Sequence, residues 1–164
     1  HYLPDALVDG VDISPKALSL ANENAERLLV TDRVRFIESN LFAGLDGEVY
    51  DLIVTNPPYV THAEVDALPE GYRFEPENGL RAGHDGLDLV LQILAEAPKH
   101  LSDDGFLICE VGESERALVE LLPQLPFNWI EFKVGQMGIF QIERDDLLTW
   151  HIEIEALAAE RRGR

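Results

Sequence analysis

The apolar, β-branched run Tyr50-Asp51-Leu52-Ile53-Val54-Thr55 stops abruptly on Asn56-Pro57-Pro58-Tyr59. A run of this length and branching reads as a buried strand. Two successive prolines lack the N–H that a sheet ladder needs, so the strand must end there. The stop leaves an Asn side chain, a Pro carbonyl and a Tyr ring at a strand's carboxyl end, the edge where open α/β sheets bind ligands. An Asn side-chain oxygen and a backbone carbonyl can together accept both hydrogens of an –NH2 group. The motif therefore points to chemistry on an amide or an exocyclic amine.

The flanking sequence alternates strands with helices. Val8 to Ile13 is a short strand candidate running into Ser14-Pro15, a side-chain N-cap followed by proline at the first helical position. The spacing of Leu18, Ala21, Ala25, Leu28 and Leu29 predicts a helix to about Val30 with one apolar face. Val34 to Ile37 is the second strand and Tyr50 to Thr55 the third. From Asn56 to about Asp85 no period is sustained, and a loop of that length is usually functional. Helical spacing resumes from Gly86 to Leu101, with Pro98 expected to kink the last turn. A strand from Gly105 to Val111 and a helix from Glu113 to Leu122 follow. Phe127 to Val134 and Gly138 to Ile142 pair as antiparallel strands around Gly135-Gln136, and a terminal helix covers Asp145 to Arg162. This order predicts an α/β fold, a mostly parallel sheet covered on both faces and carrying an antiparallel edge pair.

Charge bears on partners. The 164 residues carry a formal net charge of −18, which repels phosphate backbones and suits a basic protein partner; no direct nucleic-acid binding is expected. An ordinary acidic surface explains the charge as well. No apolar run approaches the roughly 18 residues of a membrane span, no signal peptide opens the chain, and the single Cys109 fits a reducing, cytoplasmic setting. Cys109 lies within Phe106-Leu107-Ile108 and reads as plain core. His1, His62, His84, His100 and His151 show no metal-ligand spacing, so no metal is expected.

Two further polar residues fall at strand ends. Asp12 closes the first strand, where a carboxylate can accept from both hydroxyls of a ribose; equally, it can serve as an acid at the start of a helix. Asn40 follows the second strand, where its side-chain oxygen could accept from an adenine amino group; in isolation a turn-forming Asn is the better reading. Asp12, Asn40 and Asn56 thus follow three successive strands, which the alternation predicts to end at one sheet edge and to reach one crevice.

With these residues the chain resembles the amino-group methyltransferases that use S-adenosylmethionine, whose signature is Asn-Pro-Pro-Tyr after such a strand. Tyr72-Arg73-Phe74-Glu75-Pro76-Glu77-Asn78-Gly79-Leu80 and Gly83-His84-Asp85-Gly86-Leu87 look like the protein-glutamine methyltransferases of the translation machinery. Leu107-Ile108-Cys109-Glu110-Val111-Gly112, Pro126-Phe127-Asn128-Trp129 and Glu131-Phe132 look closest to the branch that modifies ribosomal protein L-three. The resemblance implies a Rossmann-like class I methyltransferase sheet and transfer of a methyl group to a glutamine side-chain amide. It implies catalytic roles for Asn56, Pro57, Pro58 and Tyr59, and cofactor contacts from Asp12, Ile13, Asn40, Leu41 and Asn56. Glu75 and Asp85 read as loop-ordering or capping acids rather than catalytic ones.

Two departures from the family pattern stand out. The amino-terminal helical domain and the first strand with its glycine loop are missing, so residues 1–164 are expected to be the carboxyl-terminal part of one catalytic domain, nearly inactive alone. Asn40 stands where the family usually has Asp, a neutral and weaker acceptor. Two alternatives stay open. One is an adenine amino methyltransferase on DNA or RNA, which shares the four-residue motif but which the charge opposes. The other is a truncated chain without turnover.

Overall fold

In the computed structural model, residues 3–58, 86–133 and 138–162 are described, and they divide into two compact units, His1–Glu48 and Val49–Arg164. Tyr59, the rest of the long loop to Asp85, and the Gly135-Gln136 turn lie outside the described residues.

The first unit is a strand–helix–strand element. Strand β1 (Val8–Asp12) pairs in parallel with β2 (Val34–Glu38), from Val8 opposite Val34 to Asp12 opposite Glu38. Helix α1 (Pro15–Leu28) connects them and starts as its sequence dictates: Pro15 opens it, and the Ser14 hydroxyl accepts the Ala17 N–H at 3.4 Å. The helix stops at Leu28 rather than Val30. Leu29 turns left-handed, and the N–H groups of Leu29 and Val30 donate back to the carbonyls of Glu26 and Ala25, both at 3.1 Å. The apolar face is narrower than the sequence spacing predicts. Ala25 is buried and Leu18 and Ala21 are half-buried, whereas Leu28 and Leu29 are exposed.

A β-carbon is strained in the left-handed region, and Leu29 sits there at φ 55° with 87% of its surface exposed. Leu29→Gly therefore relieves strain and gives up little burial. It is expected to stabilise the protein by about 1 kcal/mol, read as a melting temperature roughly 2–4 °C higher. A lower melting temperature would mean that the Leu29 side chain holds the helix end by contact.

The second unit is a mixed four-stranded sheet in the order β3-β4-β6-β5: β3 (Tyr50–Thr55), β4 (Leu101–Glu110), β5 (Asn128–Trp129) and β6 (Ile139–Glu143). β3 and β4 run parallel; β6 runs antiparallel to both β4 and β5, which is the expected antiparallel edge. Its helices are α2 (Asp88–Glu96), α3 (Glu115–Leu121), α4 (Arg144–Thr149) and α5 (His151–Arg162). Alternation along the strands sorts the sheet's faces. Leu107 and Cys109 on β4, with Phe140 and Ile142 on β6, are fully buried, as are Val90, Leu91 and Leu94 of α2 and Ile154 and Ala158 of α5. Each such aliphatic or aromatic side chain contributes about 1.5–3 kcal/mol by leaving water. Helices α2 and α5 pack together, and Arg161 reaches Asp88 at 3.2 Å across that contact. Phe127 and Trp129 both meet Phe140 edge-on, with ring centroids 4.8 and 5.5 Å from it. Burial pushes the Cys109 thiol up to about 12, with the Glu110 carboxylate adding to the effect, so it stays a neutral core residue.

Several boundaries differ from the sequence reading. The helix expected over Gly86 to Leu101 ends at Glu96, passes through a 3-10 turn over Ala97–Lys99, and gives Leu101 to β4. Pro98 sits in that tighter turn, having no N–H to continue the α pattern. The segment expected as a helix from Glu113 opens with a 3-10 turn, Gly112–Ser114. The terminal helix is two helices broken at Trp150, one residue after Thr149, whose hydroxyl donates to the Asp145 carbonyl at 2.8 Å, a side-chain bond that bends helices. β5 keeps only Asn128–Trp129 of the strand expected from Phe127. Among the described residues no helix is long and apolar enough to cross a membrane.

Candidate functional site

In the first unit the candidate residues cluster where β1 and β2 end. The Ser39 N–H donates to the Asp12 carbonyl at 3.1 Å, so Asp12-Ile13 and Asn40-Leu41 leave the same carboxyl edge of the two-stranded sheet. Asp12 is exposed, and its Oδ1 accepts the Ser14 N–H at 2.7 Å, so the helix-start reading is realised with one oxygen while the carboxylate remains at the edge. Ile13 is exposed beside it. Asn40 is exposed too, and its carbonyl accepts the Ala43 N–H at 3.2 Å, as a turn residue's does.

Leu41 is held at φ 51° by its neighbours. The buried Ser39 hydroxyl donates to the Leu41 carbonyl at 2.9 Å and accepts the Gly44 N–H at 2.7 Å. A leucine in the left-handed region costs roughly 1–3 kcal/mol, and such strain gathers at functional sites. Behind this edge, a shallow groove of about 150 Å³ runs between the strands and α1, lined by Gly10, Val11, Asp12, Ala17, Leu18 and Phe36 among others.

In the second unit the candidate residues lie at the carboxyl end of β3. Burial alternates through the strand and beyond it: Leu52, Val54 and Asn56 are exposed, while Ile53 and Thr55 are half-buried and Pro57 is buried. A residue that precedes proline is pushed to extended backbone, so Asn56 continues the strand's alternation. Its side chain therefore shares the Leu52–Val54 face, and the Pro57 ring anchors the opposite face. The parallel register sets Leu52 opposite Phe106, Val54 opposite Ile108 and Thr55 opposite Cys109. The pairing ends there; carried one step beyond it, the same register would set Asn56 beside Glu110, the last residue of β4, a neighbour that the sequence alone did not single out. The signal was available only as register: which residue of β4 lies beside the motif depends on a bulge between Tyr50 and Leu52.

The structure thus brings Asp12, Ile13, Asn40 and Leu41 together at one edge of the first unit, and places Asn56, Pro57 and Pro58 at a strand end of the second. Tyr59, the fourth residue of the motif, lies outside the described residues. Among the described residues no group of His, Cys, Asp and Glu could hold a metal ion.

The fold is Rossmann-like α/β, of the kind found in solved methyltransferases, and is represented in part. A methyltransferase from Pyrococcus furiosus superposes with a TM-score of 0.58 at 20% identity, covering 84% of this chain and 62% of that one. A ribosomal protein L11 methylase from Lactobacillus delbrueckii subsp. bulgaricus gives 0.57 at 20% identity, covering 87% and 61%. The family profile described as "Methyltransferase small domain" matches residues 1–69.

In sequence, the chain is similar to the ribosomal protein uL3 glutamine methyltransferases. It is 63% identical over 161 residues to that of Xylella fastidiosa (strain Temecula1), covering 98% of this chain and 51% of the relative. It is 62% identical to that of Xanthomonas campestris pv. campestris, covering 98% and 52%. The uL3 glutamine methyltransferase of Francisella tularensis is 45% identical over 150 residues, covering 92% and 48%. The chain spans about half the length of the curated relatives it matches.

Proposed function

We propose that this chain is part of one catalytic domain of a protein-glutamine methyltransferase that modifies ribosomal protein uL3, the L-three of the sequence motifs. The reading rests on one observation above others: 63% identity over 98% of the chain to enzymes of that name. The net charge of −18 supports a basic protein substrate over a nucleic acid.

S-adenosylmethionine supplies the electrophilic methyl group in this reading. Asp12 would accept from its ribose hydroxyls and Asn40 from its adenine amino group, with Ile13 and Leu41 as apolar contacts. The strained Leu41 backbone supports a binding role for that turn. An amide nitrogen is a poor nucleophile because its lone pair is delocalised into the carbonyl. The Asn56 side-chain oxygen and the Pro57 carbonyl accept its two hydrogens and turn that lone pair towards the methyl group. The backbone that carries both acceptors is restrained before substrate arrives, since two prolines set φ and the Pro57 ring is buried. Tyr59 packs against the flat amide. These groups stabilise the charge that develops on nitrogen, and no general base is needed before transfer.

The test is methylation of purified uL3 by a protein of the relatives' full length that contains this chain, with the product mapped by mass spectrometry. A single added methyl group on a glutamine amide is expected. Methyl transfer to DNA or RNA adenine instead of uL3 would replace this reading with the nucleic-acid one.

A further inference from the structure

The β3–β4 pairing ends at Thr55 opposite Cys109, and one further step of the same register brings Glu110 beside Asn56; the backbone of Glu110 is firmly built. Its backbone lies opposite Ile139 in the β4–β6 ladder, and the next residue, Val111, donates its N–H to the Gly138 carbonyl at 2.7 Å. Gly112 and Gly138 are packed backbone to backbone just beyond it. Cys109, immediately before, is fully buried, so alternation turns Glu110 to the opposite face with Phe106 and Ile108. That is the face on which Leu52, Val54 and Asn56 follow one another along β3. Neighbouring strands lie about 4.8 Å apart, so a glutamate side chain at 110 spans the distance to anything held by Asn56. Glu110 is half-buried. A carboxylate there is only partly screened by water.

We propose that Glu110 is a further residue of the proposed amide-methylation site, its carboxylate set beside the substrate nitrogen to stabilise the positive charge that develops there. The inference rests on the protein-glutamine reading and deepens it. In the transfer, the nitrogen lone pair forms the new N–C bond while the S–C bond breaks and its electron pair stays on sulfur. Positive charge moves from sulfur to nitrogen, and the nitrogen then releases a proton to water. Asn56 and Pro57 offer neutral acceptors to the two hydrogens; Glu110 supplies the only full negative charge that the described residues of this strand pair place at that end. Its effect is larger in the transition state than with the uncharged amide, so it acts on turnover rather than on binding.

The experiment compares Glu110→Gln and Glu110→Asp with the parent, in a protein of the relatives' full length, by steady-state methylation of uL3. Glu110→Gln keeps the shape and removes the charge. It is expected to lower kcat about 10- to 100-fold, with KM for uL3 within about threefold and the melting temperature unchanged. Glu110→Asp keeps the charge one methylene back and is expected to recover most of the lost turnover. A parental kcat in Glu110→Gln, or a loss that appears in KM alone, overturns the inference while glutamine methylation by the parent still stands. A fall in kcat that Glu110→Asp does not recover, accompanied by a lower melting temperature, also overturns it, because the role is then structural. Absence of uL3 methylation by the parent overturns the reading itself and Glu110's role with it.

Discussion

Asn56→Ala, in a protein of the relatives' full length, is expected to lower kcat for glutamine methylation by about 10²–10³-fold, with KM for S-adenosylmethionine within about twofold. The reason lies in where Asn56 sits. It is exposed, the next residue along the Leu52–Val54 face, and the proline after it holds its backbone extended. Its side chain is therefore not part of the core, and its loss leaves packing intact. In the proposed reaction, what is lost is an acceptor for a hydrogen that becomes more acidic as the nitrogen takes on the methyl group. Such an interaction is stronger in the transition state than in the bound substrate, so it shows in kcat. Asn56→Asp keeps the shape and the acceptor oxygen, but it replaces the amide donor with a second acceptor and adds a charge. Turnover unchanged in Asn56→Ala would remove Asn56 from the chemistry.

How far the sequence carried depends on whether a feature is local. The Ser14-Pro15 helix start needs only its own neighbours, and the structure shows the cap and the first turn that these residues specify. The bounds of β3, Tyr50–Thr55, likewise follow from a run of apolar residues that prolines must end. Helix ends were less legible. Leu28 and Leu29 continue the apolar spacing of α1, yet the chain turns left-handed at Leu29, because backbone hydrogen bonds to Ala25 and Glu26 close the helix there. Leu101 looked like the last apolar residue of a helix. It is instead the first residue of a ten-residue strand, since parallel pairing with Tyr50 outweighs local periodicity.

The candidate site divides in the same way. Asp12, Asn40 and Asn56 stood out because each lies at or just after the end of a strand, and Asp12 and Asn40 do share one edge. Leu41's strain was not legible: no residue type announces a leucine at φ 51°, which the Ser39 hydroxyl imposes from both sides. Nor was Glu110, whose neighbour is decided by a register that the bulge after Tyr50 shifts. Residue chemistry can be read one position at a time, but adjacency across a sheet is a property of two strands at once.

Gly138→Ala is expected to destabilise the protein by roughly 3–5 kcal/mol. Gly138 has φ 72°, and a β-carbon built on it would lie 2.1 Å from the Gly112 carbonyl oxygen and 2.8 Å from the Gly112 nitrogen. Those atoms belong to backbone, so no rotamer change can make room. The chain would have to move β6 away from β4, breaking the 2.7 Å bond between the Val111 N–H and the Gly138 carbonyl. Val111, Phe140 and Ile142, all buried, would lose packing with it. Gly47→Ala is the control: its φ is 78°, but nothing lies within 4 Å of the added carbon, so it bears the conformational strain alone. That strain costs about 1–2 kcal/mol. Thermal unfolding should place Gly138→Ala roughly 10 °C below the parent and Gly47→Ala only a few degrees below it. Equal shifts in the two variants would show that the close approach of Gly112 and Gly138 does not hold the end of β4. The position of Glu110 beside Asn56 would then lose its support.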